Sequence, residues 1–304
     1  MLNKKTEIVF IGAGKVAHTL VPLLIKKKYS VKGIISRDRA SAASFSKKYE
    51  LDFHSDNIED IPGECKIFFI TVPDDQVSNI AGLLAGLRIN FRGLLFVHTS
   101  GSLSSKELNA LKLKNAMTAS FHIMQTFPSH RQTDITNSFA AIETESGTAE
   151  KFLFSLAGTL ELKSFKLSGE AKVFYHLAGV FAANFLNANI FTSNILLEKT
   201  GLSIKEKYSL FEPIIQTTLS NIKNNGAAVS LSGPVERGDF KTILRHLDAL
   251  RKSGSGKKNL LLRNYVSQSL ILIEVLKSKG KDLTGGQERV KKSWMKNLKN
   301  SRVL

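Results

Sequence analysis

Cysteine is almost absent from this sequence, since Cys65 is the only one among 304 residues. A single cysteine excludes an intrachain disulfide and any metal site built from several cysteines. No run of 18 apolar residues free of charge occurs, so the sequence predicts no membrane-spanning helix and no membrane partner. The polar residues 1–7 lead directly into an apolar run, which is not the pattern of a signal peptide. We therefore expect a cytoplasmic protein.

Acidic residues are scarce relative to basic ones. The chain has 43 lysines and arginines against 26 aspartates and glutamates, a net charge of +17. Such an excess can attract nucleic acid, an anionic membrane surface or anionic small ligands. Seven basic and two acidic residues lie in the tail 281–304, and the other charges are spread along the chain as on a solvated surface. No recognition motif accompanies them, so nucleic acid is not expected as a partner. A polyanion site on this tail, with Trp294 as a stacking residue, stays an alternative.

Apolar runs of strand length alternate with helical patterns through the first half of the chain. This alternation predicts an α/β fold with a doubly wound, mostly parallel sheet. The apolar strands are continuous rather than alternating, which is typical of a sheet covered on both faces. The predicted strands are residues 7–11, 31–36, 66–72, 94–99, 116–121 and 139–143, and the predicted helices among them are residues 15–27, 40–49, 75–87 and 104–111.

The pattern becomes helical near Ser168. No glycine or proline pair interrupts the helical spacing of apolar residues between 169 and 200. The sequence therefore predicts an α/β domain over residues 1–167 and an all-helical domain over 168–304, whose basic tail from about 281 is weakly patterned. Further helices are predicted over 204–224, with a kink at Pro213, and over 240–252 and 258–279, with the loop 253–256 between the last two.

A glycine-rich loop follows the first predicted strand and opens the first predicted helix. It has the spacing GxGxxA, the alanine-ended fingerprint of dinucleotide-binding proteins, in the context that the motif requires. The first glycine permits a tight turn, the second lets the backbone approach a pyrophosphate, and the alanine lets the helix pack closely against the sheet. The helix N-terminus supplies free N–H groups for the phosphates. The predicted cofactor-binding residues are Gly12, Ala13, Gly14, Lys15, Val16 and Ala17.

The end of the second strand indicates which dinucleotide binds. Ser36 and Arg37 stand where NAD-selective proteins usually have an acidic residue, and a hydroxyl with a guanidinium suits the 2′-phosphate of NADP. Asp38 leaves NAD as an alternative cofactor, because a shift of one residue would restore an acidic contact to the ribose. At the end of the third predicted strand, Val72, Pro73 and Asp74 are predicted to contact the cofactor ribose or, alternatively, to cap the next helix.

Polar residues that follow the later strands are candidates for substrate contact, because ligands bind at the carboxyl ends of strands in open α/β sheets. Ser100 and His122 offer hydrogen-bond donors and acceptors near a substrate carbonyl, although a histidine at a strand end is often structural. In the helical half, Arg237 could clamp a carboxylate with two hydrogen bonds. The same turn carries Asp239, a natural N-cap, so both residues could equally tie helices together.

Several motifs in order resemble one known family. They are GAGKVA (12–17), HTSGS (98–102) with FHIMQTF (121–127), YHLAGVFAANFLNA (175–188) and LSGPVERGD (231–239). Together they resemble proteins that join a Rossmann-like domain to a DUF2520 domain. These are related to the 6-phosphogluconate-dehydrogenase-type reductases, which include ketopantoate reductase and pyrroline-5-carboxylate reductase. The resemblance implies an NADP-dependent oxidoreductase that acts on a small anionic carbonyl compound, such as the 2-keto acid ketopantoate, and a homodimer formed through the helical domain.

The resemblance also implies catalytic residues on the first long helix. Related ketopantoate and hydroxyacid enzymes place a lysine and an asparagine there, and the lysine donates a proton or hydrogen bond to the carbonyl. His176 stands where that lysine is expected and can do its work near neutral pH. Asn184 would orient the substrate, since an α-helix places residues eight positions apart about 80° apart around its axis. A buried, hydrogen-bonded histidine and asparagine without catalytic function, and a non-catalytic dinucleotide sensor on this fold, are the alternatives.

Overall fold

The computed structural model describes residues 2–202, 207–252, 258–280 and 282–300. The predicted loop 253–256, Lys281 and the last four residues of the basic tail lie outside them. The chain forms two compact units, Met1–Leu186 and Asn187–Leu304. The predicted division at 167/168 marks the end of the sheet, whereas the division between the compact units falls later, inside the long helix.

An eight-stranded sheet dominates the first unit, in the order β3-β2-β1-β4-β5-β6-β7-β8. All neighbouring strands are parallel except β6 and β7, which are antiparallel. The predicted doubly wound, mostly parallel sheet is therefore confirmed. The strands are β1 (Ile8–Ile11), β2 (Val31–Ile35), β3 (Phe53–Ser55), β4 (Ile67–Ile70), β5 (Leu95–His98), β6 (Met117–Ile123), β7 (Phe139–Thr144) and β8 (Lys163–Lys166).

The strand sequences explain why both faces of the sheet are covered. Successive side chains of β1 point to opposite faces. Ile8 and Phe10 join one apolar cluster, while Val9 and Ile11 join another on the other face. The helices of this unit that cover the sheet are α1 (Ala17–Lys26), α2 (Arg39–Tyr49), α3 (Val77–Ala85), α4 (Asn109–Lys112) and α5 (Gly147–Thr159).

The edge strands β3 and β8 are not predicted by the sequence pattern, and neither is α5. An edge strand has one neighbour only and is partly solvated, so its sequence does not need a continuous apolar run. β3 has the sequence FHS and β8 the sequence KSFK. These short polar segments give no strand signal by apolar pattern alone.

Helices make up the chain beyond the sheet. A π-helical turn, Val180–Asn184, joins α6 (Lys172–Gly179) to α7 (Phe185–Glu198). The helix is not divided at Pro213, where φ and ψ remain helical, and a bend at this residue stays a prediction. The backbone leaves the helical conformation at Gly226 instead, where φ is 77°, because glycine adopts positive φ without a steric cost. The other helices are α8 (Lys207–Ser230), α9 (Pro234–Arg237), α10 (Phe240–Lys252), α11 (Lys258–Lys277) and α12 (Gly285–Asn300).

The continuous helical segment Gly169–Glu198 is long and apolar enough to span a membrane by length and composition alone. Residues 173–197, directly after Lys172, contain no Asp, Glu, Lys or Arg, but a histidine and four asparagines interrupt the apolar pattern, so no continuous apolar run of 18 residues occurs there. Lys172 is nevertheless buried by the protein itself, at 1% exposure. The beginning of this segment is therefore an integral part of the first unit.

The second unit has its own apolar core, formed by α9 to α12. Val290 and Trp294 are one helical turn apart on α12, and both are fully buried in this core. The prediction of a weakly patterned tail is therefore wrong over Gly285–Asn300. Trp294 as a stacking residue for a polyanion is also wrong, because a base cannot reach an indole ring with 0% exposure.

Candidate cofactor and substrate site

The glycine-rich loop is held tightly against the end of β4. Thr71 Oγ1 donates a hydrogen bond to the carbonyl of Gly12 at 2.6 Å. Gly12 has φ +105°, and a Cβ there would lie 2.7 Å from the Thr71 carbonyl oxygen. A Cβ on Gly14 would lie 3.0 Å from the same oxygen. Glycine is therefore required at Gly12 and favoured at Gly14, and the close backbone leaves a smooth cradle at the start of α1.

The N-terminus of α1 has the free N–H groups that a phosphate needs. Val16 precedes the helix without making a side-chain capping bond, and the first turn contains no acidic residue. Unpaired N–H groups and the positive end of the helix dipole favour an anion at this position. Ala17 is fully buried against the sheet. The geometry of the loop therefore fits the pyrophosphate of a dinucleotide.

A cavity of about 460 Å³ lies on one side of this loop. Gly12, Ala13, Ser36 and Arg37 line it, but Asp38 does not. Asp38 caps α2 instead, since its Oδ2 accepts a hydrogen bond from the Ser41 N–H at 2.7 Å. The carboxylate of Asp38, which left NAD as an alternative cofactor, therefore has a structural partner. Ser36 and Arg37 remain as the polar groups that line the cavity at the end of β2.

A second cavity, of about 340 Å³, lies on the other side of the loop. Both cavities are lined by Gly14, Thr71, Val72 and Pro73, so they adjoin. This arrangement suits an elongated ligand whose two halves lie on either side of the glycine-rich loop. The second cavity brings together predicted residues from separate parts of the chain: Lys15, Val16, Asp74, Ser100, His122 and His176.

Asp74 and Ser100 organise the loop that follows β5. Ser100 Oγ donates to Asp74 Oδ2 at 2.7 Å and accepts from the N–H groups of Ser102 and Leu103 at 3.2 and 3.1 Å. Ser102 Oγ also donates to Asp74 Oδ2, at 2.9 Å. The only proton of the Ser100 hydroxyl is therefore used within the loop. This geometry favours a positioning role for Ser100 over a direct contact with substrate.

Lys172 is a buried cation behind the same loop, and the sequence analysis missed it. Its Nζ donates to the Ser100 carbonyl at 2.9 Å and to Ser120 Oγ. Burial lowers the pKa of Lys172 to about 8, although Glu143 and Asp74 act in the opposite direction. Lys172 precedes His176 by four positions, which places both residues on one side of α6. A lysine is therefore present on this helix, one turn before His176.

Two histidines converge on Gly101 at the wall of the smaller cavity. A Cβ on Gly101 would lie 2.6 Å from His122 Nε2 and 2.8 Å from His176 Nδ1. The two imidazole rings are nearly perpendicular, with centroids 6.2 Å apart. Burial, then Lys172 and His176, lowers the pKa of His122 to about 4, so His122 is neutral at physiological pH. The cavity therefore has two imidazoles within reach of one bound group.

His98, by contrast, is a structural histidine. It is fully buried, its Nδ1 accepts from the Ser100 N–H at 3.3 Å, and its Nε2 lies 3.1 Å from the Ser104 carbonyl. Because Nδ1 is an acceptor, Nε2 carries the proton and donates to that carbonyl. Burial, then Lys172, lowers the pKa of His98 to about 4. This side chain fixes the loop that carries Ser100 and Gly101.

Asn184 does not line the cavity that contains His176. It is exposed and lies at the end of the π-helical turn. The predicted 80° separation assumes an unbroken α-helix, whereas a π turn closes with i→i+5 bonds and so rotates every later residue around the axis. The 80° figure therefore does not apply to this segment, and the shared side with His176 and a substrate contact by Asn184 stay predictions.

Arg237 and Asp239 lie in the second unit. Asp239 caps α10, because its carboxylate accepts from the Thr242 N–H at 3.1 Å and from Thr242 Oγ1 at 2.7 Å. These two hydrogen bonds hold the pKa of Asp239 below its ordinary value. The predicted capping role is confirmed. Arg237 is exposed at the end of α9, and a substrate clamp by its guanidinium stays a prediction.

Comparisons with known proteins agree with this geometry. Residues 7–97 match the family model described as "NADP oxidoreductase coenzyme F420-dependent". Residues 138–267 match the model described as "Domain of unknown function (DUF2520)". No curated protein sequence matches the chain. The family of the first match agrees with the prediction of NADP as the cofactor.

Solved structures share the fold over most of the chain. A protein of Bacteroides fragilis, described as a candidate NADP oxidoreductase, is 25% identical, with a TM-score of 0.74 over 88% of this chain and 98% of that one. A protein of Thermotoga maritima is 25% identical, with a TM-score of 0.65 over 90% and 100%. An imine reductase from a Pseudomonas species is 16% identical, with a TM-score of 0.62 over 88% and 95%, which shows a shared fold only.

The predicted family is confirmed by these matches together. The glycine-rich loop and the larger cavity lie in the part that matches the oxidoreductase model, and His176 lies in the part that matches DUF2520. The residues of the smaller cavity between 99 and 127 lie between the two matches. The chain therefore joins the Rossmann-like domain of the NADP oxidoreductases to a DUF2520 domain.

Proposed function

We propose that the protein is an NADPH-dependent reductase of small anionic carbonyl compounds, with 2-keto acids such as ketopantoate as the first candidates. The observation that carries this proposal is the smaller cavity, where the glycine-rich loop, Asp74 and two histidines meet. Its volume of about 340 Å³ suits a nicotinamide with a small substrate. Lys15 at its wall favours a negatively charged ligand.

The larger cavity would hold the adenosine half of the cofactor. Ser36 and Arg37 would bind the 2′-phosphate, because the planar guanidinium donates several hydrogen bonds to phosphate oxygens. The N–H groups at the start of α1 would bind the pyrophosphate. Val72, Pro73 and Asp74 would border the nicotinamide ribose.

NADPH, when bound, supplies the hydride that adds to the carbonyl carbon of the substrate. The carbonyl oxygen then gains the electron pair of the broken π bond and takes one proton, which yields the alcohol. His176 is the first candidate for donor of this proton, and His122 is the second, since both imidazoles face the cavity. The fixed loop at Ser100 and Gly101 would hold the reacting groups in line.

Two measurements on the purified chain test the proposal. Nicotinamide fluorescence would follow titrations with NADPH and NADH, and absorbance at the reduced nicotinamide band would follow turnover of ketopantoate and other 2-keto acids. We expect tighter binding of NADPH and oxidation of NADPH by at least one 2-keto acid. Tight binding without turnover would indicate a sensor instead, and no binding of either nucleotide would contradict the proposal.

His176→Ala tests the assignment of the proton donor. We expect a loss of turnover of about 10²-fold or more, the usual contribution of a positioned general acid, with unchanged affinity for NADPH. A variant that keeps full turnover would remove His176 from this role.

We propose that two copies associate through the helical part, as the family resemblance implies. Large apolar side chains are exposed there, among them Phe174 at 76%, Phe181 at 60% and Ile214 at 67%. Exposed apolar side chains in such number are typical of an interaction surface. We expect twice the mass of one chain in light scattering and half of that for Phe174→Glu. Leu113→Glu, at a site 77% exposed on the α/β part, is the matched control and should stay dimeric.

The cytoplasmic location stays a prediction.

A further inference from the structure

Tyr175 lies next to His176 on α6 and contacts the other histidine of the cavity. The rings of Tyr175 and His122 meet edge to face, with centroids 5.5 Å apart. Tyr175 Oη lies 3.4 Å from His122 Nδ1. Phe165 of β8 also packs against the tyrosine ring, at a centroid distance of 5.9 Å. Tyr175 thus contacts two aromatic rings, and its hydroxyl is directed at one nitrogen of His122.

The direction of this hydrogen bond follows from the chemistry of the two groups. Burial raises the pKa of Tyr175 to about 12, so the phenol keeps its proton. Within the part of the chain that the structure describes, His122 Nδ1 is the only hydrogen-bond partner of this hydroxyl. A phenol that accepted a bond from Nδ1–H would leave its own proton without a protein partner at this half-buried position, which costs free energy. The hydroxyl therefore donates to Nδ1.

The opposite nitrogen of His122 faces the cavity. Nε2 lies 2.6 Å from the position that a Cβ on Gly101 would occupy, and His176 Nδ1 approaches the same point. A neutral imidazole has one N–H donor and one acceptor. When Nδ1 accepts from Tyr175, the single proton of the ring must be on Nε2.

We propose that Tyr175 is a positioning residue that keeps the proton of His122 on Nε2, where the ring donates a hydrogen bond to the substrate oxygen. This role rests on the proposed reduction. A neutral imidazole of His122 then stabilises the charge that develops on the oxygen, while the proton itself comes from His176, the first candidate for proton donor. The neighbouring charges agree with a neutral ring: Lys172 and His176 oppose protonation of His122, and only Asp74 favours it.

The state of the ring can be measured without turnover. Long-range ¹H–¹⁵N correlation spectra of the full chain with ¹⁵N-labelled histidine report which ring nitrogen carries the proton in each of the seven histidines. The signals that vanish in His122→Gln belong to His122. We expect the proton on Nε2 in the wild type and a shifted Nδ1 signal in Tyr175→Phe. A proton on Nδ1 in the wild type, or unchanged His122 signals in Tyr175→Phe, would overturn the proposal.

The chain offers a matched control. Tyr265 Oη lies 3.0 Å from His246 Nδ1 in the second unit, and these rings also meet edge to face, at 5.8 Å. Tyr265→Phe removes the same hydroxyl from the same kind of pair. It should shift the His246 signals and leave those of His122 and the turnover unchanged. A His122 shift in this control would overturn the local interpretation.

Kinetics test the catalytic part separately. For the 2-keto acid that the wild type reduces fastest, we expect kcat of Tyr175→Phe to fall about fivefold, the factor that corresponds to the net free energy of one hydrogen bond. KM and the affinity for NADPH should change less than about twofold, because the fold and the cofactor site are retained. An unchanged kcat would overturn the positioning role. If the wild type reduces no member of the panel while its His122 carries the proton on Nε2, the proposed function fails and the tautomer assignment stands.

Discussion

Gly101→Ala is the sharpest test of the site, because the added methyl group would meet both histidines at once. Its Cβ would lie 2.6 Å from His122 Nε2 and 2.8 Å from His176 Nδ1. Ordinary contact begins near 3.4 Å, so the two nitrogens must retreat by about 0.8 and 0.6 Å. The backbone itself accepts alanine, since Gly101 is not among the glycines with positive φ.

A displacement of this size has a large expected effect on turnover. Misplacement of a reacting group by about 1 Å can reduce a rate by about 10²-fold. We therefore expect kcat to fall by about two orders of magnitude in Gly101→Ala. Affinity for NADPH should stay within about threefold, because Gly101 does not line the larger cavity, which would hold the adenosine half of the cofactor. Overpacking should lower the free energy of unfolding by about 1–3 kcal/mol.

Three assays on the same preparations separate these effects: fluorescence titration with NADPH, steady-state oxidation of NADPH, and thermal unfolding. Gly158→Ala is the matched control, because nothing lies within 4 Å of a Cβ there and the residue is inside α5. It should keep wild-type turnover and gain about 0.5–1 kcal/mol of stability. Wild-type kcat in Gly101→Ala would refute the convergence of the two histidines on the reacting group.

Two further predictions concern charge. Arg37→Ala should weaken NADPH binding by about 10- to 100-fold and NADH binding by less than about threefold, because a charge-assisted contact contributes about 1.5–3 kcal/mol; equal losses in fluorescence titrations would contradict a 2′-phosphate contact. Lys172→Met should remove a rise in stability between about pH 8 and 10.5. Burial lowers the pKa of Lys172 to about 8, so in this range the unfolded chain binds more protons than the folded one, and stability rises with pH. Urea unfolding of the wild type and of Lys172→Met across this pH range measures the effect. Parallel profiles of unfolding free energy against pH would refute the lowered pKa of Lys172.

Local patterns made the first half of the site predictable. The glycine-rich loop depends only on a strand, a spacing of glycines and a following helix, all of which are adjacent in the sequence. The central strands are buried on both faces, so their apolar runs are continuous. The edge strands β3 and β8 are partly solvated and lack such runs, which is why the pattern did not reveal them.

The choice between NADP and NAD shows what local structure adds. Arg37 and Asp38 are adjacent in sequence, and either could face the ribose when only the order of residues is known. The start of α2 resolves this, because Asp38 accepts the hydrogen bond from the Ser41 N–H. An aspartate directly before a predicted helix is an N-cap signal, because its side chain can accept from the backbone N–H three residues later. The sequence of this segment alone therefore favours a capping role for Asp38 over a contact with the ribose.

The wall of the smaller cavity depends on contacts that sequence order does not reveal. Tyr175 and His122 are 53 positions apart, and the π-helical turn before Phe185 changes the angle per residue that an α-helix would give between His176 and Asn184. Neither the pairing nor the turn has a signal in the periodicity of apolar residues. The helix itself was predictable, but the direction of its polar side chains depends on the loop against which it packs.

Lys172 adds to the burial that keeps two imidazoles near the cavity neutral. A lysine in a basic chain is normally interpreted as part of the solvated surface, but this one is 1% exposed and donates to the Ser100 carbonyl. A buried ammonium costs stability, and an apolar side chain of similar length would avoid that cost. The pKa values of His98 and His122 are lowered to about 4, first by burial and second by the charge of Lys172. Neutral His98 can then accept from the Ser100 N–H, and neutral His122 can accept from Tyr175. Burial and this cation together thus keep both rings neutral, the state that fixes the loop and presents Nε2–H to the cavity.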